Sequence, residues 1–357
     1  MSTAPVKETM TSRERTIAAL TGQPYDRIPV NLLISDHGAR VIGVTVGEYN
    51  NSASLMAQGQ VAAWRRYGAD NVNTGPGLTG IAEAIGSKLA YPDSTPYVAD
   101  YVVKEEADLD RLKVPDPERD GRLPLFLEAA TIVLKEVGDQ VPLNMTTSGP
   151  FTTATSIRGT ENFLRDLHKN PQFAHRLLRL SSDSIIRFAA AAIKVGARIG
   201  LADPTASGTM ISPRQFREFA QPYLQEVVTA IAAIAGAAPS LHICGNTSKI
   251  WPEMTATGVS VLSWMTPSIW SRQRRWWGTR LLCWATSARP LSCTWASRTM
   301  CGKMHGSAWQ RAGTTPRAIY LAWAVDFPST RRRKISMPWW ARRGNMVAGP
   351  LIRRGFP

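Results

Sequence analysis

Ser240-Leu241-His242-Ile243-Cys244-Gly245-Asn246-Thr247 follows a helix and the short turn Ile234-Ala235-Gly236-Ala237-Ala238-Pro239. The run Ser240–Cys244 reads as a strand. Residues two apart on a strand face the same side, so His242 and Cys244 point the same way, with Gly245 opening the loop beyond. An imidazole and a thiolate at that spacing, at the C-terminal end of a strand, suit a zinc ion. The same pattern also describes a core cysteine beside a hydrogen-bonded core histidine, because two ligands do not complete a zinc site.

The unit around this stretch, helix then glycine then apolar strand then polar loop, recurs along the chain. Thr11-Ser12-Arg13-Glu14 has the form of a capping box, and Ile17, Ala18 and Leu20 supply an apolar face before Gly22. Strands are predicted at Val30–Ile34, Asp70–Asn73, Val141–Thr147, Ala197–Ala202, Ser240–Cys244 and Gly258–Leu262. Helices are predicted at Ser54–Tyr67, Leu125–Val137, Asn162–Leu167, Pro171–Val195, from Ser212 to Ile234 and at Trp251–Thr257. The helix after Ser212 begins with a serine cap, Pro213 in its first turn and Gln215 at its third position. Residues 77–120 carry Glu105-Glu106-Ala107-Asp108 and prolines at 115 and 117, and read as a surface excursion.

Alternating strands and helices mean a parallel sheet covered by helices. Six such strands precede residue 264, and a (β/α)8 TIM barrel of about 250 residues fits the length. Chemistry in such barrels sits on the loops that follow the strands. The exits here are Asp36-His37, Ser148-Gly149-Pro150, Asp203-Pro204 and His242-Ile243-Cys244-Gly245, so polar residues gather at one rim.

Composition divides the chain. Of 357 residues, 264–357 hold fifteen arginines, two lysines and one acid, Asp326, together with ten of the twelve tryptophans. The net charge of +15 therefore belongs to the tail. An Arg/Trp mixture suits phosphate contact and base stacking, but the tail has no nucleic-acid-binding motif, and no nucleic-acid partner is expected. No run of about 18 apolar residues occurs, so no membrane span is expected. Met1–Met10 has no apolar signal core and reads as disordered; with four cysteines in the chain, this predicts a reducing, cytoplasmic setting.

Residues 11–263 resemble the uroporphyrinogen decarboxylase superfamily of (β/α)8 barrels. The resemblance rests on Arg15 through Asp26-Arg27-Ile28-Pro29-Val30, Gly149-Pro150-Phe151-Thr152, Asp203-Pro204 with Ser212-Pro213, and His242-Ile243-Cys244-Gly245. Within it, the His-x-Cys pair resembles the methylcobamide:coenzyme M methyltransferase branch. That branch implies zinc held by His242, Cys244 and a second cysteine near the last strand. It also implies a methyl-corrinoid donor, free or on a corrinoid protein, and a small thiol acceptor such as coenzyme M. Asp203 is the candidate for orienting a ligand or the substrate, with helix or loop capping as its other reading. Asp36 and His37 are weaker candidates. The alternative is uroporphyrinogen decarboxylation, but the family's decarboxylases carry an arginine-rich segment after the first strand, where this chain has only Arg40.

The pattern stops at Ser263. An acidic strand exit is expected next, and Trp264-Met265-Thr266 stands there instead. Tryptophan and methionine each have one codon. Read one base earlier, TGG-ATG-ACN encodes Leu, Met or Val followed by Asp-Asp, the missing exit. The reading frame is therefore expected to change near Ser263, with the last two β/α units missing or scrambled and 264–357 an aberrant basic tail. Ala318–Val325 is the tail's one plausible strand, and Cys283, Cys293 and Cys301 match no third ligand. An inactive frame-shifted product is thus a further alternative.

Overall fold

The computed structural model describes residues 8–92, 95–265 and 282–286. Its centre is a six-stranded, wholly parallel sheet. The strands are β1 (Val72–Gly77), β4 (Leu143–Ser148), β5 (Arg198–Ala202), β6 (Ser240–Ile243), β7 (Val261–Met265) and β8 (Leu282–Thr286), hydrogen-bonded in that order. A separate antiparallel hairpin, β2 (Lys88–Ala90) with β3 (Tyr97–Asp100), lies in the predicted excursion. Helices follow the strands and cover the sheet, in the α/β barrel arrangement that the sequence predicts. Among the described residues, no helix is long and apolar enough to cross a membrane.

Alternation along the strands separates two faces. Leu143, Met145, Ile199, Leu201, Leu241, Ile243 and Leu262 join the main core with the helices Leu123–Val137, Pro171–Lys194 and Gln221–Ala235. The intervening residues therefore face the lumen. There the register sets Ser148, Ala202, His242 and Ser263 side by side. Barrels usually fill this layer with bulky branched side chains. Here His242 is the one large side chain among the four.

The predicted first strand is extended chain without a ladder. Asp70 N–H bonds Val30 C=O at 2.6 Å, but the other contacts come from side chains. The Asp70 carboxylate accepts from Val30 N–H, the Asn71 carboxamide pairs with both backbone groups of Leu32, and Asn73 also donates to Leu32 C=O. Side chains of β1 and its approach thus occupy the groups that a ladder would use, and Pro29 has no N–H to offer. In the same stretch Asp36-His37 is not an exit loop only: His37 begins a short helix, His37–Ile42.

The first helix, Ser12–Thr21, has the predicted capping box and ends at Gly22. Its apolar face is Ala18 and Ala19; Ile17 is 48 % exposed. It crosses the N-terminal end of the sheet. Arg13 N–H donates to Gln140 C=O, just before β4, and Thr16 Oγ1 donates to Asp70 C=O, just before β1. Ala19 packs with Val261, the first residue of β7. Arg15, 1 % exposed, pairs with Asp26 and Asp70, and Arg27 shares Asp70 with it. Residues 8–10, predicted disordered, are held here: Thr9 and Met10 N–H donate to Asp26, and Glu8 pairs with Arg15 and Arg27. Residues 1–7 lie outside the described part.

Strand β8 falls in the tail, at a place the sequence did not single out, while Ala318–Val325 lies outside the described residues.

Candidate functional site

His242 and Cys244 stand together at the C-terminal edge of the sheet, where barrel chemistry is expected. Strand β6 ends at Ile243, and Gly245 turns the chain with φ +79°. A Cβ at Gly245 would sit 2.5 Å from Ser207 Oγ and 2.7 Å from Thr209 Oγ1, so glycine is required for conformation and for space. Thr209 Oγ1 then accepts the N–H of Asn246, tying this turn to the exit of β5.

The predicted convergence is present. His242 Nε2 lies 2.9 Å from Cys244 Sγ, and His242 Nδ1 lies 2.8 Å from Ser263 Oγ on the neighbouring strand. Burial pulls the His242 imidazole down to about 4 and pushes the Cys244 thiol up. The pair is therefore a neutral imidazole beside a neutral thiol. Among the described residues no cation contacts Cys244, so they do not make the arrangement of an activated cysteine nucleophile.

The donor set can be tested against zinc. Two ligands of one tetrahedral zinc stand about 3.5 Å apart, so the 2.9 Å contact needs to open only slightly. Neutral imidazole is the ligating form, and Nδ1 is already engaged by the Ser263 hydroxyl, in the position where zinc-bound histidines keep an outer acceptor. His242 and Cys244 therefore fit the ion. Among the described residues no third His, Cys, Asp or Glu joins them.

Asp203 stands one strand away, joined to His242 through the backbone: its N–H donates to His242 C=O at 2.9 Å. Its carboxylate, fully buried, points elsewhere. It accepts from Thr152 N–H at 2.6 Å and Phe151 N–H at 3.3 Å, at the start of the helix Pro150–Arg158. Burial pushes the carboxyl up to about 6, against those donors. Gly149 permits this packing, since a Cβ there would fall 2.4 Å from Asp203 Cγ. The contacts are those of the capping reading: Asp203 fastens the exit of β4 to that of β5 and touches neither His242 side-chain nitrogen nor Cys244. Thr152 and Thr205 reinforce the junction, their hydroxyls 2.9 Å apart.

Asp36 and His37 do not join the pair. Asp36 accepts from Asn50, and His37 Nε2 lies 2.8 Å from Tyr67 Oη. Ser35, just before them, is the one non-glycine residue with positive φ among the described residues, at 47°. Sequence reasoning missed Ser263. The signal was available, since the alternation that places His242 inward also places the partner at the same height on the next strand inward.

The uroporphyrinogen decarboxylase (URO-D) family model matches residues 11–275. The chain is similar to the methylcobamide:CoM methyltransferase MtaA of Methanosarcina barkeri, 30 % identical over 258 residues, covering 71 % of this chain and 75 % of that protein. It is similar to the methylcobamide:CoM methyltransferase MtbA of Methanosarcina acetivorans, 30 % identical over 259 residues, 71 % and 76 % of the two chains. The uroporphyrinogen decarboxylase of Vibrio cholerae is 25 % identical over 237 residues, 61 % of this chain and 64 % of that one. Among solved structures, a methyltransferase from Methanosarcina mazei superposes with a TM-score of 0.75 at 26 % identity, covering 88 % of this chain and 92 % of that one. With the barrel-type sheet and the polar rim already in place, these likenesses identify the chain as a member of the uroporphyrinogen decarboxylase family.

Proposed function

We propose that the site serves zinc-dependent methyl transfer from a methyl-corrinoid to a small thiol such as coenzyme M. The observation that carries this reading is the His242 Nε2–Cys244 Sγ convergence at the C-terminal edge of the sheet. His242 and Cys244 hold the ion, which, when bound, supplies the Lewis acidity that keeps a thiol deprotonated at neutral pH. Asp203 acts at a distance, by pinning the exits on either side. The substrate thiolate attacks the donor methyl: an S–C bond forms, the Co–C bond breaks, and the corrinoid leaves with the electron pair. A corrinoid protein is one source of the donor, and the cytoplasm is the setting in which the thiols remain reduced.

The reading extends to the tail. The basic composition, the loss of acids after Ser263 and the one-base codon argument support a changed frame, so the chain as written has two ligands in place and is weakly active or inactive. Sequencing the coding DNA across codons 258–270 decides this. A frame-restored protein is expected to bind about one zinc and to methylate a thiol from methylcobalamin, and His242→Ala to abolish both. A restored protein without zinc, or a fully active His242→Ala, refutes the reading. Decarboxylation of uroporphyrinogen would establish the alternative.

A further inference from the structure

His242 has two ring nitrogens, and the site uses both. In a neutral imidazole one nitrogen carries the proton and the other a lone pair. If Nε2 carried the proton it would point at Cys244 Sγ, and no lone pair would face the space between the two side chains. If Nδ1 carries it, Nδ1–H donates to Ser263 Oγ, and Nε2 accepts the Cys244 thiol proton or presents its lone pair to a ligand. Only the second arrangement connects all three groups while leaving Nε2 free to ligate.

The backbone fixes Ser263 for this task. Strand β7 pairs with β6 in parallel register, His242 opposite Ser263, and both side chains face the lumen. Ser263 is 4 % exposed, so water does not readily take its place at Nδ1. A hydroxyl accepts without carrying charge, which suits a buried imidazole that no carboxylate contacts among the described residues.

We propose that Ser263 is the positioning residue of the site: it accepts from His242 Nδ1–H and so holds the ring in the tautomer and orientation that aim the Nε2 lone pair at Cys244. The choice of tautomer rests on the zinc reading above, since it is the arrangement that leaves Nε2 free to ligate; the His242–Ser263 contact itself does not.

The test uses the full chain, labelled with 15N-histidine and stripped of metal by a chelator, with long-range 15N–1H correlation at neutral pH. His242→Ala identifies the His242 signals among the five histidines. The parent is expected to show Nδ1–H. Ser263→Ala is expected to revert toward Nε2–H, the tautomer favoured by free imidazole, and Ser263→Thr to restore Nδ1–H. An Nε2–H signal in the parent overturns the proposal without any variant, as does an unchanged Nδ1–H signal in Ser263→Ala. If Ser263→Ala does not fold, the parent and Ser263→Thr still decide, because a threonine variant that folds but carries Nε2–H also overturns it. Zinc titration of the frame-restored protein adds a second readout: Ser263→Ala weakens zinc binding about 10–100-fold and Ser263→Thr recovers it. A frame-restored protein that binds no zinc counts against the methyl-transfer reading and leaves the tautomer result standing.

Discussion

Replacing Asp70 by alanine tests the buried ion-pair network at the floor of the sheet. The Asp70 side chain has no exposure and faces Arg15, itself 1 % exposed, and Arg27, 22 % exposed. It also accepts from Val30 N–H at 2.6 Å. Asp70→Ala therefore leaves one guanidinium edge buried without a partner, a second cation half served and a backbone amide unsatisfied. Arg15 keeps Asp26, at 2.6 and 2.9 Å, and Met10 C=O, which limits the loss. Breaking a buried pair from one side costs about 3–5 kcal/mol, and the expected value here is about 4 kcal/mol. At roughly 2–4 °C per kcal/mol for a domain of this size, the melting temperature falls by about 8–16 °C. The control is Arg65→Ala, which removes a pair to Glu136 with 60 % and 41 % of the side chains exposed and costs below about 1 kcal/mol. Urea and thermal unfolding followed by circular dichroism measure both. An Asp70→Ala shift no larger than that of Arg65→Ala refutes the claim that this network holds the first helix against the sheet.

Gly149→Ala drives a methyl into the Asp203 carboxylate and costs about 1–3 kcal/mol, read as a shift in urea midpoint; a neutral result shows that the Asp203 junction yields easily. The Arg15 guanidinium bonded to Asp26 holds that carboxyl well below the usual range, with burial opposing. A depressed native value stabilises the fold above the unfolded carboxylate pKa of about 3.9, and this contribution is lost as pH falls below it. Asp26→Asn should therefore be less stable than the parent at neutral pH, with the difference shrinking steadily under acid; a constant difference refutes the linkage. Thr11→Ala removes one half of the first capping box and is expected to cost about 1 kcal/mol. A Thr11→Ala protein with parental stability shows that the box adds nothing beyond the seating of the helix.

What the sequence made legible was mostly local. The capping boxes at Thr11 and Ser212 both formed, because their partners lie three residues away. Helices Leu123–Val137 and Pro171–Lys194 followed their apolar period, and His242 and Cys244 share a face as strand alternation requires. The misses needed distant partners. Asp70 reads as an ordinary strand-entry acid until Arg15, 55 residues away, is seen to face it. Residues 30–34 have a strand's composition, yet Asn71 and Asn73 take their hydrogen bonds. Thr45-Val46-Gly47-Glu48 is a third capping box of the same form, visible in the sequence and overlooked there. Asp203 had two readings in sequence, and only the direction of its carboxylate separates them.

The helix Ser12–Thr21 is made among the first segments of the chain, yet it is seated late. Its polar contacts reach residues 70 and 140, and Ala19 is covered only when Val261 arrives. Throughout synthesis, a growing chain shorter than this presents Ala19, Leu20 and Tyr25 as an unfilled socket at the barrel floor. Such exposed apolar surface is what draws chaperones and neighbouring chains. The socket is filled two residues before Ser263, where the composition changes. On the proposed change of frame near Ser263, Val261 is already in place when the sequence departs, so the residue that meets Ala19 belongs to the part of the chain that keeps the family pattern.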